Sequence, residues 1–160
     1  MTNVLGGTLN VGAAVGFGGL IQGIVINSLL LPPTLVDNVL LDVIAFSMSP
    51  HAGGVITDIS GWFRNTVSLS LLVTTVTVFM EVYVAPAGST VFTRQASLPV
   101  ATLSGLIGIG GYYVAASGLN IPLDQNDRVA VVYRVGVTGG IDIVTTVTGF
   151  VGGSLTINLT

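Results

Sequence analysis

The sequence predicts an all-β protein, an antiparallel sandwich with jelly-roll winding, and three observations support that prediction. About ten short stretches rich in β-branched residues follow one another at fairly even spacing along the 160 residues. Glycine, proline, asparagine and aspartate separate the stretches, as expected for turns between strands. No segment has the periodicity of a convincing amphipathic helix. An even series of short strands is typical of two packed antiparallel sheets.

The first 20 residues are glycine-rich and carry spaced apolar side chains. We expect residues 1–20 to form an N-terminal arm and residues 21–160 to form the β domain. Such a terminus is usually poorly ordered unless something holds it. A groove could hold the arm, or it could add as a strand to a sheet edge of its own molecule or of a neighbour; a flexible leader is the simpler alternative. The residues predicted to connect subunits are Thr2, Asn3, Val4, Leu5, Leu9, Val11, Val15 and Phe17.

The first half of the domain is expected to hold five strands. Residues 19–27 form a candidate strand, and Pro32 and Pro33 follow it as breakers. Residues 39–46 are apolar on both faces, which is typical of a strand covered on both sides. A turn is predicted at 49–54. The other three candidates are residues 55–65, residues 67–72 and a long strand at 75–84.

The long strand at 75–84 has two different faces. The first is apolar at every second position: Val76, Val78, Met80, Val82 and Val84. The second carries threonines and aromatic residues around Glu81, which fits either an ordinary exposed face or the core of a subunit interface. Glu81 is expected to meet Arg94 or Arg134 of the same or of the next subunit. The residues predicted to form the interface are Phe79, Glu81, Tyr83, Tyr133 and Arg134.

The second half of the domain shows the same alternation of strands and turns. A hairpin connection is predicted at 85–89, and the clearest turn lies at 122–127. The alternation of valine with other residues makes 128–137 the strongest strand candidate here. The remaining candidates are residues 90–95, 98–109, 111–117, 144–152 and 154–159.

Composition points to self-association. Only 7% of the residues are charged, with four arginines and no lysine, whereas about 25% is ordinary. Such a chain hides its surface either in lipid or against its own copies. The uncharged stretches 1–36 and 95–123 are interrupted by glycine and proline, and no cluster of basic residues at one end marks a cytoplasmic side, so membrane insertion is not expected. Without a basic cluster, nucleic acid is not an expected partner, and without cysteine, disulfides are excluded.

The titratable residues do not form a reactive set. His51, the only histidine, sits in a turn, where a solvated side chain explains it better than a catalytic base. Asp124, Asn126 and Asp127 resemble half of a calcium loop, but turn chemistry accounts for them more simply. No nucleophile motif or dinucleotide-binding setting is present. We therefore expect no enzymatic activity, no metal and no cofactor.

Three segments carry a family resemblance: residues 55–105, residues 118–137 and residues 144–157. Their strand order and spacing, the Ile-Thr-x-Ile opening at 56–59 and the Gly-Phe-Val-Gly-Gly close at 149–153 resemble the C-terminal domain of BclB-type collagen-like exosporium glycoproteins of spore-forming Firmicutes. The resemblance covers about residues 37–160. It implies a TNF-like jelly roll that closes as a homotrimer on the outside of an endospore, without enzymatic activity.

The chain departs from that family at its N-terminus, where the collagen-type Gly-X-Y register is missing. This favours a subunit of a fibrous spore appendage, whose arm links one trimer to the next. The expected partners are copies of the chain, together with other exosporium or collagen-like spore proteins. One alternative is a trimeric tip or adhesion module that binds a carbohydrate or a host surface. Another is a lipid-associated or channel-forming protein.

Overall fold

The computed structural model describes residues 2–3, 9–16, 19–27, 34–36, 45–48, 51–140 and 145–160. These residues form thirteen β-strands and no helix, which confirms the all-β prediction. The strands are β1 (Thr2–Asn3), β2 (Leu9–Gly16), β3 (Gly19–Asn27), β4 (Thr34–Val36), β5 (Phe46–Ser47), β6 (Gly54–Asn65), β7 (Leu69–Ala85), β8 (Val91–Ile107), β9 (Gly110–Ala116), β10 (Ile121–Leu123), β11 (Arg128–Gly140), β12 (Thr145–Thr146) and β13 (Gly149–Leu159).

Two antiparallel sheets hold these strands. The large sheet has the order β12-β1-β2-β3-β4-β8-β7-β11-β5. Because β2 also pairs with β11, the strands β2, β3, β4, β8, β7 and β11 form a closed ring of pairings. In the small sheet β6 is central, with β13 along one edge and both β9 and β10 along the other. The two sheets pack face to face in a sandwich-like arrangement.

The core between the sheets is built on the long strand that the sequence singled out. The predicted apolar face of β7 is buried throughout, from Val76 to Val84. The small sheet contributes Ile56, Ile59 and Phe63 to the same core. Side chains of a strand alternate between its faces. The alternation of these five apolar residues therefore predicted which face of β7 packs against the small sheet.

A second apolar cluster lies on the opposite face of the large sheet. It contains Tyr83, Phe92 and Val132, together with Leu35 of β4. Both faces of β7 are therefore buried near its C-terminal end. This explains why the polar residue Glu81 is enclosed there and not exposed.

Three predicted divisions between strands are wrong, and at two of them a bulge lets the strand continue. The candidates at 67–72 and 75–84 are one strand, β7, whose register shifts between Leu71 and Thr75. The candidates at 90–95 and 98–109 are likewise one strand, β8. Its Pro99 lies beside a register shift opposite Phe79, and a bulge is where a strand tolerates a residue without an N–H group.

The predicted division between 144–152 and 154–159 is also wrong, because residues 149–159 form one strand, β13, and residues 145–146 form the separate strand β12. The remaining strand predictions in the described residues hold in outline. The candidate at 19–27 is β3, the one at 55–65 is β6 and the one at 128–137 is β11. Of the candidate at 39–46, residues 39–44 lie outside the described residues, and Phe46 belongs to β5. β2 and β3 pair from Leu9↔Asn27 to Gly16↔Gly19, so the predicted boundary after residue 20 falls inside β3.

Candidate functional site

Strand β2 of the predicted arm lies on the edge of β11. Residues 13–15 of β2 pair with residues 131–133 of β11 in the same chain. Such main-chain pairing depends little on side-chain identity, so a free edge can accept a strand from its own chain or from another. The predicted connector residues Thr2 and Asn3 lie in β1, and Leu9, Val11 and Val15 lie in β2; Val4, Leu5 and Phe17 lie outside the described residues.

The carboxylate of Glu81 lies close to this edge and is fully buried. Its Oε1 accepts hydrogen bonds from Nη1 of Arg94 at 2.8 Å and from Nε of Arg134 at 2.9 Å. Ser97 Oγ donates to the same oxygen at 3.0 Å, and Tyr83 Oη donates to Oε2 at 2.9 Å. The predicted contact of Glu81 with an arginine is therefore confirmed, with both arginines, inside one chain. We call these five residues the Glu81 cluster.

The register of three strands assembles the Glu81 cluster. Ser97 of β8 lies directly opposite Glu81. Arg94 lies opposite Tyr83, and Arg134 of β11 lies opposite Phe79. Direct and diagonal neighbours across strands are within reach of long side chains, so both guanidinium groups converge on the carboxylate. The Arg134 guanidinium also lies 4.3 Å from the centre of the Phe79 ring, in cation–π contact.

The Glu81 cluster holds two positive charges against one negative charge. The side chains of Arg94 and Arg134 keep 26% and 16% of their surface exposed, so water reaches part of each guanidinium group. Burial, together with the charge and the hydrogen bond of Glu81, raises the pKa of Tyr83 well above its ordinary value. Tyr83 therefore stays protonated and donates to the carboxylate. This arrangement fixes β7, β8 and β11 relative to one another.

The five residues of the predicted subunit interface do not all lie together. Phe79, Glu81, Tyr83 and Arg134 meet on one face of the large sheet. Tyr133 lies on the other face, in the core between the sheets, and donates to the carbonyl oxygen of Gly152 at 2.7 Å. The alternative of an ordinary exposed face is wrong, because Glu81 and Tyr83 are buried within the chain. A subunit contact through this set stays a prediction.

The polar turn at 124–127 has a structural role. The Asp127 carboxylate is mostly buried and accepts hydrogen bonds from the backbone N–H groups of Asp124, at 2.9 Å, and of Ala87, at 3.2 Å. Asn126 adopts a left-handed conformation with φ 64°, which asparagine tolerates. In the part of the chain that the structure describes, no group of three or more metal-ligating side chains comes together.

Sequence reasoning missed a set of exposed aromatic residues on the outer face of the small sheet. Trp62 of β6 lies opposite Tyr113 of β9 on one side and Gly152 of β13 on the other. Phe150 lies opposite Arg64, one outward position further along. We call this surface, from Asp58 to Arg64 with its neighbours on β9 and β13, the aromatic face. The one sign of the aromatic face in the sequence is the position of Trp62 in the predicted strand 55–65. That Tyr113 and Phe150 lie near Trp62 depends on which strands flank β6.

The surface as a whole has little charge. Among the described residues, Arg64 and Asp124 are the exposed charged side chains. The exposed large hydrophobic residues are Trp62, Val67, Leu72, Val73, Val91, Leu106, Ile109, Tyr113, Phe150 and Leu159.

Comparison of the chain with protein-family models, with curated proteins and with solved structures finds no match. The described residues contain no helix that is long and apolar enough to cross a membrane.

Proposed function

We propose that this protein is a non-enzymatic structural subunit that assembles with its own copies on the surface of a spore. The observation that carries the proposal is the imbalance of its surface: ten large hydrophobic side chains are exposed, against two charged ones, in the described residues. Soluble surfaces usually carry about 25–35% charged residues. Contiguous exposed apolar patches usually mark interaction sites. Contacts between copies would cover the exposed hydrophobic residues that lie outside the aromatic face, namely Val67, Leu72, Val73, Val91, Leu106, Ile109 and Leu159.

The proposed assembly unit is a homotrimer of TNF-like jelly rolls. The resemblance to exosporium glycoproteins implies this unit, and the antiparallel, sandwich-like fold is compatible with it. The same resemblance supports a location on the spore surface, in an extracellular appendage, and contact with other exosporium or collagen-like spore proteins.

The proposed link between trimers is the N-terminal arm. Residues 13–15 pair with residues 131–133 of the same chain in the structure. The same pairing with the β11 edge of an adjacent trimer would join two trimers without requiring any new surface. Repeated head to tail, such a heterologous contact produces an open filament. The arm therefore supplies a means of fibre growth that the trimer contact alone lacks.

A pair of cysteines tests this link directly, because the chain has no cysteine of its own. Ala14 and Val132 are cross-strand partners, and such partners are close enough for a disulfide bond. After oxidation, we expect the Ala14→Cys/Val132→Cys protein to run on a non-reducing gel as a ladder of disulfide-linked chains. The matched control is Val78→Cys/Val135→Cys, a core pair that should cross-link only within one chain.

The possible outcomes separate the two parts of the proposal. If the Ala14–Val132 disulfide forms only within single chains while electron microscopy shows fibres, the arm is not the link. If fibres persist after deletion of residues 2–15, the arm is again excluded. If sedimentation shows a stable single-chain particle at high protein concentration, the self-assembly proposal itself is rejected.

A further inference from the structure

We propose that the aromatic face binds a neutral oligosaccharide, a function that goes beyond self-assembly. Trp62, Tyr113 and Phe150 expose 43%, 70% and 66% of their surface. They line an open groove of about 450 Å³. A second groove of about 280 Å³ continues from Tyr113 along the same face. The two grooves together give one elongated surface that is aromatic at one end and polar at the other.

The indole of Trp62 lies close against position 152, which is a glycine. A Cβ atom at Gly152 would stand 2.7 Å from the indole Nε1 and 2.8 Å from Cε2. The ring thus occupies the space that a side chain at position 152 would need, and Tyr113 lies opposite Trp62 on the neighbouring strand. A flat, exposed ring can stack against the C–H face of a sugar, which is apolar although the sugar's edges are polar. Glycine at 152 therefore makes the platform possible.

The polar end offers hydrogen-bonding groups at the level of the sheet. The Oγ atoms of Ser60 and Ser154 lie 2.8 Å apart across the strands, and a hydroxyl both donates and accepts. Asp58 and Thr156 are the next outward pair along the same strands. Hydroxyls and a carboxylate beside a stacking surface match the edges and faces of a carbohydrate ring.

The charges of the face favour an uncharged ligand of some length. Arg64 lies at the aromatic end and Asp58 at the polar end, six residues apart on one strand, which is about 20 Å. The two charges have opposite signs, and the side chains between them on β6, Ser60 and Trp62, are neutral. A uniformly charged polymer would be repelled at one end, whereas a neutral chain of several sugar rings can hydrogen-bond to both.

The composition of the polar end argues against a second copy of the chain as the occupant. Interface cores are depleted in serine, alanine and aspartate. Those residue types line the groove of about 280 Å³, in the form of Asp58, Ser60, Ala115, Ser117 and Ser154. Contact between copies is therefore the alternative that the experiment must separate, and an oligosaccharide is the occupant we propose.

Fluorescence provides a direct test, because Trp62 is the only tryptophan in the chain. The intact protein is titrated to millimolar concentration with three neutral probes, cellohexaose, chitohexaose and maltohexaose. We expect at least one probe to change the Trp62 emission saturably. Tyr113→Ala and Gly152→Ala should each weaken that binding about tenfold, the size of one lost aromatic contact. Gly108→Ala is the matched control, since its Cβ meets nothing within 4 Å.

Three results would overturn the proposal. The first is that none of the three probes changes the emission or releases heat in calorimetry. The second is that a probe binds with unchanged affinity to Tyr113→Ala, which would place it elsewhere. The third is that the emission changes with protein concentration alone and Tyr113→Ala abolishes that change, which would make the face a contact between copies. Circular dichroism of each variant establishes that it is folded, and sedimentation tests self-assembly separately from sugar binding.

Discussion

Removal of the charge at Glu81 is the sharpest test of the architecture. In Glu81→Gln the side chain keeps its volume and one carbonyl oxygen, but the guanidinium groups of Arg94 and Arg134 lose their common counter-charge. The carboxylate has no exposed surface. We therefore expect the variant to be considerably less stable than the wild-type protein.

The expected loss of unfolding free energy follows from the burial of the Glu81, Arg94 and Arg134 side chains. Removing one member of a buried ion pair costs about 3–5 kcal/mol. Here the two arginine side chains remain 26% and 16% exposed, so water partly compensates the charges left behind. We expect the lower end of the range, about 3 kcal/mol. For a domain of this size that corresponds to a fall in melting temperature of about 6–12 °C.

Urea unfolding followed by circular dichroism measures the difference. Asp124→Asn is the matched control, since it also removes one carboxylate charge, from an exposed turn residue, and should change stability by about 0.5 kcal/mol at most. Replacing Glu81, Arg94 and Arg134 together by methionine should recover most of the loss, because no unpaired charge remains. A Glu81→Gln protein as stable as the control would refute our account of the Glu81 cluster.

Two further predictions concern buried groups. Burial raises the pKa of both Tyr83 and Tyr133 above the unfolded value of 10.0; the unfolded chain therefore loses these protons first, and stability should hold below about pH 9 and fall above about pH 10. The free energy of unfolding should fall by about 1.4 kcal/mol per pH unit for each tyrosine. Urea unfolding at several pH values measures this dependence, and Tyr83→Phe should halve it. An unchanged pH dependence in Tyr83→Phe would contradict the raised pKa of Tyr83. In Gly61→Ala the new Cβ would meet Met80 Sδ and Tyr133 Oη in the core, so we expect a loss of about 1–3 kcal/mol, measured against Gly108→Ala; equal stability of the two would show that the core is looser than described.

The sequence was informative about the fold where a pattern is local. The alternation from Val76 to Val84 identified both a strand and its buried face, because strand geometry alone determines which side chains share a side. Strand continuity was less predictable. We predicted a division between residues 95 and 98, yet β8 continues through this point and through Pro99, which lies at a bulge. A bulge depends on the partner strand, so no local pattern reveals it.

The candidate sites were likewise predictable only where the signal is local in the sequence. The pairing of Glu81 with arginine was predictable, because a charged residue in the middle of an apolar strand needs an opposite charge and the chain has four arginines. The sequence could not show that two arginines share one carboxylate, since this depends on the register of β7 with both β8 and β11. The aromatic face was not predictable, because Trp62, Tyr113 and Phe150 come from three strands far apart in the sequence.

The use of the arginines links the fold to the proposed assembly. Arg94 and Arg134 are committed to Glu81, and Arg128 donates to the carbonyl oxygen of Ser89 and lies 5.0 Å from the centre of the Phe92 ring. Of the four arginines, Arg64 is exposed and the other three are half-buried. Three of the four positive charges are therefore bound to groups of the same subunit and contribute less to the solvation of its surface. Copies can then approach through apolar area, at about 25 cal/mol per Å² buried, with few charges to desolvate.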